Sequence, residues 1–245
     1  TPRTRAILAV HLYGTACDMA TIMDVARRHN LLVVEDCAQS HGSTFHGKRL
    51  GTFGTVGCFS FYPTKGLGAF GDAGAVVTDD PALAEKFRTF RNYGSRVHYH
   101  FETVGTNSRL DELQAALLRV RLRHLEALNA ERCRLADRYL RELRLPGLAL
   151  PRLRPGADST WHQFVVHCDR RDALAAALKQ DGVDTGIHYP IPPHLSEAYA
   201  YLGYAPGAFP IAERYAAEVL SLPMYNGMTD AEQAYVIERI NAFKG

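Results

Sequence analysis

VVEDCAQSHG (residues 33–42) and FSFYPTKGLGAFGDAGAV (residues 59–76) are the two stretches that decide the fold class. In the first, an apolar run over residues 31–34 ends two residues before the carboxyl side chain of Asp36. An unbroken apolar run predicts a strand buried on both faces, as in a parallel sheet. Asp36 is then expected at the carboxyl end of that strand, which is the edge where open α/β sheets bind their ligands.

Lys65 is the only lysine in the second stretch, and glycine, phenylalanine and tyrosine surround it. Desolvation in such surroundings favours a neutral amine, which can attack a carbonyl carbon. A carboxylate at a strand end can keep a pyridinium nitrogen protonated, so Asp36 and Lys65 together suggest pyridoxal phosphate chemistry. The spacing alone fits equally well with Asp36 capping the next turn and Lys65 being a solvated loop charge.

A series of longer blocks follows in order along the chain: VHLYG, VEDCAQSHG, FSFYPTK, FGDAGAV, RNYGSR, NSRLDELQAA and GIHYPIPPHL. Together they closely resemble the sugar aminotransferases of the DegT/DnrJ/EryC1/StrS family, from Thr1 to the end of the chain. The resemblance implies an α/β fold of the fold-type I pyridoxal phosphate transferases. We expect the C-terminal part of a large domain with a mostly parallel sheet over residues 1–127, and a smaller α+β domain over residues 128–245.

The resemblance also implies roles for individual residues. Lys65 matches the catalytic lysine that bonds to pyridoxal 5'-phosphate and moves a proton between cofactor and substrate carbons. Asp36 matches the acid paired with the pyridine nitrogen, and Gln39 matches the amide beside the ring and its 3-hydroxyl. Ser60 matches a phosphate-binding hydroxyl, and Asn107 an asparagine that reaches the phosphate of the neighbouring subunit. A homodimer with shared active sites is therefore expected.

Other matched residues are open to more than one interpretation. His11, His188 and Tyr189 lie in blocks that the family places near the substrate, but core and surface histidines are common. A hydroxyl such as that of Ser60 can bond to the backbone at a strand end, and Gln39 can cap a turn. Asn107 with Asp111 also fits the start of a helix.

The implied activity is transfer of an amino group, from glutamate, to a nucleotide-linked keto-deoxysugar. RNYGSRVHYH and NSRLDELQAALLRVRLRHL resemble most the branch that acts at C3 of a dTDP-3-keto-6-deoxyhexose. Transamination at C4 is the alternative. Dehydratases of the family carry histidine in place of the lysine, whereas this chain has Lys65.

The start of the chain departs from the family pattern. Family members have a Gly-Thr phosphate-binding turn and a ring-stacking aromatic ahead of the block that matches TPRTRAI, and neither is found here. We therefore expect an N-terminally truncated aminotransferase with weaker phosphate binding and with exposed strand edges and apolar surface. A second hypothesis is an inactive fragment, or a remnant that depends on a partner.

Composition narrows the class of protein. The chain has 245 residues, is 47% hydrophobic and carries a net charge of +2, so it is expected to be a globular protein without affinity for nucleic acid. The arginine-rich region of residues 119–144 has leucines at helical spacing, which predicts an amphipathic helix. No apolar run reaches membrane-spanning length, and no signal-peptide pattern is present.

The five cysteines are scattered and without a CxxC pair, which predicts a reducing cytoplasm rather than a disulfide framework. The histidine pairs His98/His100 and His41/His46 have no third ligand at convincing spacing. No metal site is expected.

The hydrophobic pattern predicts strands at residues 5–11, 31–36, 56–61 and 73–78, with helices at 19–29, 81–92 and 110–140, the last broken near 124–129. Beyond a proline-rich linker it predicts a strand from Trp161, a helix at 171–180, a short strand at 183–188 and a helix at 209–220.

Overall fold

The computed structural model of the protein describes residues 1–244. These residues group into two compact units. The first unit comprises Thr1–Ala130 and Leu153–His162, and the second comprises Glu131–Arg152 and the described residues from Gln163 onward. The predicted division after residue 127 stays a prediction.

The elements of the first unit are, in chain order, β1 (Ala6–Val10), α1 (Met19–Arg28), β2 (Leu32–Asp36), β3 (Thr44–Phe45), β4 (Lys48–Arg49), β5 (Val56–Ser60), β6 (Gly74–Val77), α2 (Pro81–Phe90), β7 (Ser95–Val97), β8 (His100–Phe101) and α3 (Glu112–Leu122). A 3₁₀ turn at Leu12–Gly14 follows β1. Helix α4 (Leu125–Glu142) begins within the first unit and ends within the second. The long helical pattern is interrupted between Leu122 and Leu125, which confirms the predicted break. The interruption lies at the start of the predicted range, 124–129.

The main sheet of the first unit has the strand order β1-β2-β5-β6. The first three strands are parallel, and β6 is antiparallel to β5. This sheet confirms the prediction of a mostly parallel α/β arrangement. Because parallel strands end at the same edge, the carboxyl ends of β1, β2 and β5 lie side by side, and the register pairs Asp36 with Val10 and with Cys58.

One face of this sheet packs against α1. Alternating side chains of β1 and β2 point to that face, where Ala9 and Val33 are buried with Met19 and Ala26 of the helix. The helix begins where the Asp18 side chain accepts a hydrogen bond from the Thr21 N–H, which satisfies one of the first free donors.

The opposite face of the sheet is open within the first unit. Leu8 is 64% exposed and Leu32 is 56% exposed, and both point to this face. Residues paired in register point to the same side, so Asp36 lies on the open face as well.

The second unit contains β9 (Leu148–Ala149), β10 (Phe164–Cys168), α5 (Arg171–Gln180), α6 (Pro210–Glu218), β11 (Val219–Leu222) and α7 (Asp230–Ala242), with 3₁₀ turns at Pro193–Leu195 and Glu197–Leu202. Its sheet is antiparallel in the order β11-β10-β9. Phe164, Leu174 and Ile240 are fully buried in its core.

One sequence prediction for this unit is wrong, and another is confirmed except at its end. Residues 183–188 form only an isolated bridge between Gly186 and Ser221 instead of a strand. The helix predicted at 209–220 ends at Glu218, because all four residues of β11 are buried alongside β10. An apolar run does not distinguish a helix end from a buried strand.

None of the helices formed by residues 1–244 combines the length and the apolar character that crossing a bilayer would require.

Candidate active site

Two of the proposed site residues share one edge and one face of the sheet. Asp36 ends β2 and pairs with Cys58, and Ser60 ends β5 two residues later. Side chains two residues apart in a strand point to the same face. Asp36 and Ser60 therefore lie together on the open face, at the carboxyl ends of adjacent parallel strands.

The carboxylate of Asp36 is half-buried and only partly engaged. Its Oδ1 accepts a hydrogen bond from the Ala38 N–H at 2.9 Å, and Oδ2 has no hydrogen bond within the described part of the chain. Burial raises the pKa of the neighbouring Cys58 thiol, and the negative charge of Asp36 raises it further. Because Oδ2 of Asp36 has no hydrogen bond within the described part of the chain, it is available to a hydrogen-bond donor on the open face.

Lys65 lies in a compact loop that follows β5. Its N–H donates to the Tyr62 carbonyl at 2.9 Å, and the Tyr62 N–H donates to Ser60 Oγ at 3.2 Å. Gly68 packs so closely that a Cβ there would lie 2.3 Å from the Pro63 carbonyl oxygen, so the loop requires glycine at this position. The partly exposed Lys65 side chain makes no hydrogen bond or ion pair among residues 1–244.

Gln39 joins the loops that follow the first two strands. Its Oε1 accepts a hydrogen bond from the Tyr13 N–H at 2.6 Å, and Tyr13 has the left-handed backbone conformation, with φ of 60°. The side chain is nearly buried at 9% exposure. Gln39 therefore positions the turn after β1 at the same sheet edge as Asp36.

His11 is fully buried and faces the opposite side from Asp36. Its Nδ1 accepts the Cys17 N–H at 3.1 Å, and its Nε2–H donates to Glu35 Oε2 at 3.2 Å. Both ring nitrogens thus have protein partners. Contact of His11 with a substrate stays a prediction.

Glu35 is a buried carboxylate that the sequence patterns did not reveal. Besides His11, it accepts hydrogen bonds from the N–H groups of Gly51, Phe53 and Gly54 at 2.7–2.8 Å. His11, Glu35 and Cys37 are close enough to resemble a metal site, with ligand atoms within 4.8 Å. Because the imidazole nitrogens and carboxylate oxygens already have protein partners, they are not free to coordinate an ion.

Replacing Glu35 with glutamine is expected to lower the free energy of unfolding by about 3 kcal/mol, because the amide NH₂ must face backbone donors that then lack an acceptor. Urea unfolding measures the effect, with the exposed Glu112→Gln as the matched control. A loss no larger than that of the control would contradict the assigned role.

The contribution of Glu35 to the free energy of unfolding should depend on pH. Burial raises its pKa, but the hydrogen bonds from His11, Gly54, Gly51 and Phe53 outweigh burial and hold the pKa below the ordinary 4.5. The unfolded chain then takes up the proton at higher pH than the folded protein. The difference between wild type and Glu35→Gln is therefore largest above about pH 4.5 and shrinks as the pH falls further.

Asn107 is exposed after β8, and its backbone forms an isolated bridge with Asn92. Within one chain it makes no hydrogen bond to Asp36, Gln39, Ser60 or Lys65. Its role at a cofactor phosphate stays a prediction.

His188 and Tyr189 belong to the second unit. His188 Nδ1 is hydrogen-bonded to Ser221 Oγ at 2.8 Å, and its ring lies over Gly186, where a Cβ would be 2.6 Å from Cε1. Tyr189 is 53% exposed. Their role at a substrate stays a prediction.

The α/β fold with a mostly parallel sheet is that of solved DegT/DnrJ/EryC1/StrS aminotransferases, which places it in the fold-type I class of transferases. A family model described as the DegT/DnrJ/EryC1/StrS aminotransferase family matches residues 1–241. The chain belongs to this family.

Comparison with known proteins gives close relatives. The chain is 54% identical to the erythromycin biosynthesis sensory transduction protein EryC1 of Saccharopolyspora erythraea, over 99% of this chain and 66% of that protein. It is 53% identical to dTDP-3-amino-3,4,6-trideoxy-alpha-D-glucose transaminase of Streptomyces venezuelae, over 98% of this chain and 64% of that protein.

Among solved structures, the crystal structure of S. venezuelae DesV in complex with a ketimine intermediate matches with a TM-score of 0.96 and 52% identity. The match covers 98% of this chain and 65% of the DesV chain. The chain thus spans about two thirds of the length of the relatives that it matches.

Proposed function

We propose that the protein is a pyridoxal phosphate-dependent aminotransferase that acts on a nucleotide-linked keto-deoxysugar. The observation that carries the proposal is the meeting of Asp36 and the Ser60–Lys65 loop at one edge of the sheet, with Asp36 Oδ2 and the Lys65 amine free of hydrogen bonds within residues 1–244. Membership of an aminotransferase family supports the reaction class.

The donor set fits the cofactor. Pyridoxal phosphate supplies an electron sink that allows the carbon bearing an amino group to lose and regain a proton. Asp36 Oδ2 would accept the pyridinium N–H and, as a carboxylate, favour the protonated ring. Ser60 Oγ, which accepts from Tyr62, still has its hydroxyl proton to donate to a phosphate oxygen.

Lys65 would be the protein side chain that takes part directly in the reaction. Its Nζ would bond to the cofactor aldehyde at rest, and as a free amine it would take a proton from one carbon and return it to another. Gln39 would keep the turn after β1 in place beside the ring. Each role uses an atom at or next to the carboxyl edge of β1, β2 or β5.

For the substrate we propose a dTDP-3-keto-6-deoxyhexose, aminated at C3 with glutamate as the donor. The S. venezuelae relative is a dTDP-3-amino-3,4,6-trideoxy-alpha-D-glucose transaminase, and the 3-amino group of that sugar supports C3 over the C4 alternative. We place the reaction in the cytoplasm, a reducing compartment that suits the five free thiols of the chain.

We further propose a homodimer in which Asn107 of one subunit completes the phosphate site of the other. The exposure of Asn107 within one chain supports this arrangement. Lys65→Ala and Asn107→Ala should each be inactive alone, because each spoils both sites of its own dimer. A mixture of the two, unfolded and refolded together, should recover about one quarter of wild-type activity, since half of the dimers then contain one intact site.

The matched control mixes Lys65→Ala with Ser108→Ala. Ser108 is the exposed neighbour of Asn107 in the sequence and has no role in the proposal. Failure of the Lys65→Ala and Asn107→Ala mixture to regain activity, with dimers present by light scattering, would exclude a shared site.

A further inference from the structure

His41 is a buried histidine that the proposed reaction does not yet use. It is 4% exposed, and its ring lies against Phe59 at 5.6 Å and Phe61 at 5.9 Å between ring centroids. Its carbonyl accepts a hydrogen bond from Asn129 Nδ2 at 2.9 Å, which holds the backbone. Both ring nitrogens are buried without an aligned hydrogen bond in the described part of the chain.

An unpaired imidazole in an apolar slot is costly, because its nitrogens lose water and gain no partner. A phenylalanine or leucine would fill the same slot between Phe59 and Phe61 without that cost. Buried polar atoms in native proteins nearly always have a partner, so an unpaired one calls for an explanation. The nitrogens of His41 are therefore expected to serve a polar group in some state of the protein.

The loop that contains Ser60 and Lys65 supplies polar groups that interact with the ring. A Cβ placed on Gly66, next to Lys65, would lie 4.0 Å from His41 Cβ. The pKa of His41 is lowered to about 4: burial lowers it most, a hydrogen-bonding interaction with the Ser60 backbone opposes this, and the positive charge of Lys65 also lowers it. A backbone group that raises a histidine pKa is a carbonyl, since it favours the protonated ring.

A neutral imidazole has one N–H donor and one acceptor nitrogen. The donor can pair with the Ser60 carbonyl after a small adjustment of the ring. The acceptor then needs an N–H or O–H group, and the flexible Lys65 side chain has three such donors and no partner of its own within residues 1–244. The two unpaired groups, one buried and one on the adjacent loop, complement each other.

We propose that His41 is a positioning residue for Lys65, in which one imidazole nitrogen accepts a hydrogen bond from the Lys65 amine whenever that amine is free. This inference deepens the proposed function and rests on it for the role of Lys65 as the reacting amine. His41 would hold the amine at the carboxyl edge of the sheet, between the two halves of the reaction.

The test uses the protein without cofactor or substrate. Trace acylation followed by mass spectrometry gives the labelling rate of Lys65 relative to Lys86, an exposed lysine on α2. In wild type the hydrogen bond to His41 holds the Lys65 amine away from the reagent, so that its labelling is slow. In His41→Phe, which retains a ring in the slot, the Lys65 to Lys86 ratio should rise by about fivefold or more.

His41→Gln is the rescue variant, because its amide oxygen can accept the same hydrogen bond, and it should return the ratio to within about twofold of wild type. The exposed His29→Phe is the control for a histidine lost elsewhere. An unchanged ratio in folded His41→Phe would overturn the proposal. An equal rise in both His41 variants would also overturn it, since it would make His41 a packing residue only.

A second measurement leaves His41 in place and so does not depend on its variants folding. In protein labelled with ¹⁵N-histidine, Lys65→Met should shift the resonance of the unprotonated His41 nitrogen downfield, as expected when an acceptor loses its donor. If a buried water is the partner instead, the resonance stays where it is and the proposal fails. Neither readout uses transamination, so failure here is distinguishable from failure of the proposed function.

Discussion

Replacing Lys65 with alanine is expected to lower transamination by roughly a thousandfold or more, because under the proposed function one substitution removes both the bond to the cofactor and the group that moves the proton. Steady-state assay with a dTDP-3-keto-6-deoxyhexose and glutamate measures the loss. The Lys65 side chain makes no hydrogen bond or ion pair within residues 1–244, so Lys65→Ala should still fold.

Lys86→Ala is the matched control, since it removes an exposed lysine from α2 and should leave activity unchanged. Transamination that persists in Lys65→Ala at more than a tenth of the wild-type rate would be incompatible with Lys65 as the reacting amine. A loss of activity together with a loss of folding would be recognised by circular dichroism and would call for Lys65→Met in its place.

Asp36→Asn is expected to lower the turnover number by roughly a hundredfold to a thousandfold, with a smaller change in substrate affinity. The amide has almost the shape of the carboxylate, and its oxygen can still accept the Ala38 N–H, so the turn after β2 is retained. The negative charge that favours a protonated pyridine nitrogen is lost. The substitution thus separates charge from structure.

Asp79→Asn, at an exposed acid beyond β6, controls for the loss of one negative charge. The Asp36 variant should also lower the pKa of the Cys58 thiol, which the Asp36 charge raises, and this can be followed by the pH dependence of its alkylation. Activity within tenfold of wild type would show that Asp36 serves the turn alone.

Much of the first unit can be predicted from sequence because its strands are short apolar runs that end at polar residues. Such a run at residues 31–34 predicts both β2 and the place of Asp36 at its carboxyl end, as the structure shows. The loop with Lys65 follows β5 in the same way. Parallel pairing then brings the two ends to one edge without any further information.

The buried polar residues are harder to predict. Glu35 lies next to Asp36 in sequence and points to the opposite face, and its donors come from a loop 16 to 19 residues later. His41 is buried against the rings of Phe59 and Phe61, which lie about 20 residues later in the chain. Local pattern does not encode such contacts, since they depend on how distant loops pack.

In the second unit, helix α7 shows the same limit, because the hydrophobic pattern did not predict it. Helix α7 begins with a capping box formed by Thr229 and Glu232, but Gln233 takes one of its buried positions. The amide of Gln233 donates to the Leu135 carbonyl at 2.7 Å, so a polar residue occupies a place where an apolar one would reveal the period. Hydrophobic periodicity alone therefore does not predict this helix.

The central claim is that Lys65 is the residue that binds pyridoxal phosphate. Its most direct test is an absorbance spectrum of the protein with added pyridoxal phosphate, followed by borohydride reduction and peptide mass mapping. The account predicts a visible absorption band that reduction removes and a cofactor mass on the peptide containing Lys65. A folded protein that shows no band, or that acquires the mass on another lysine and not on Lys65, would contradict it.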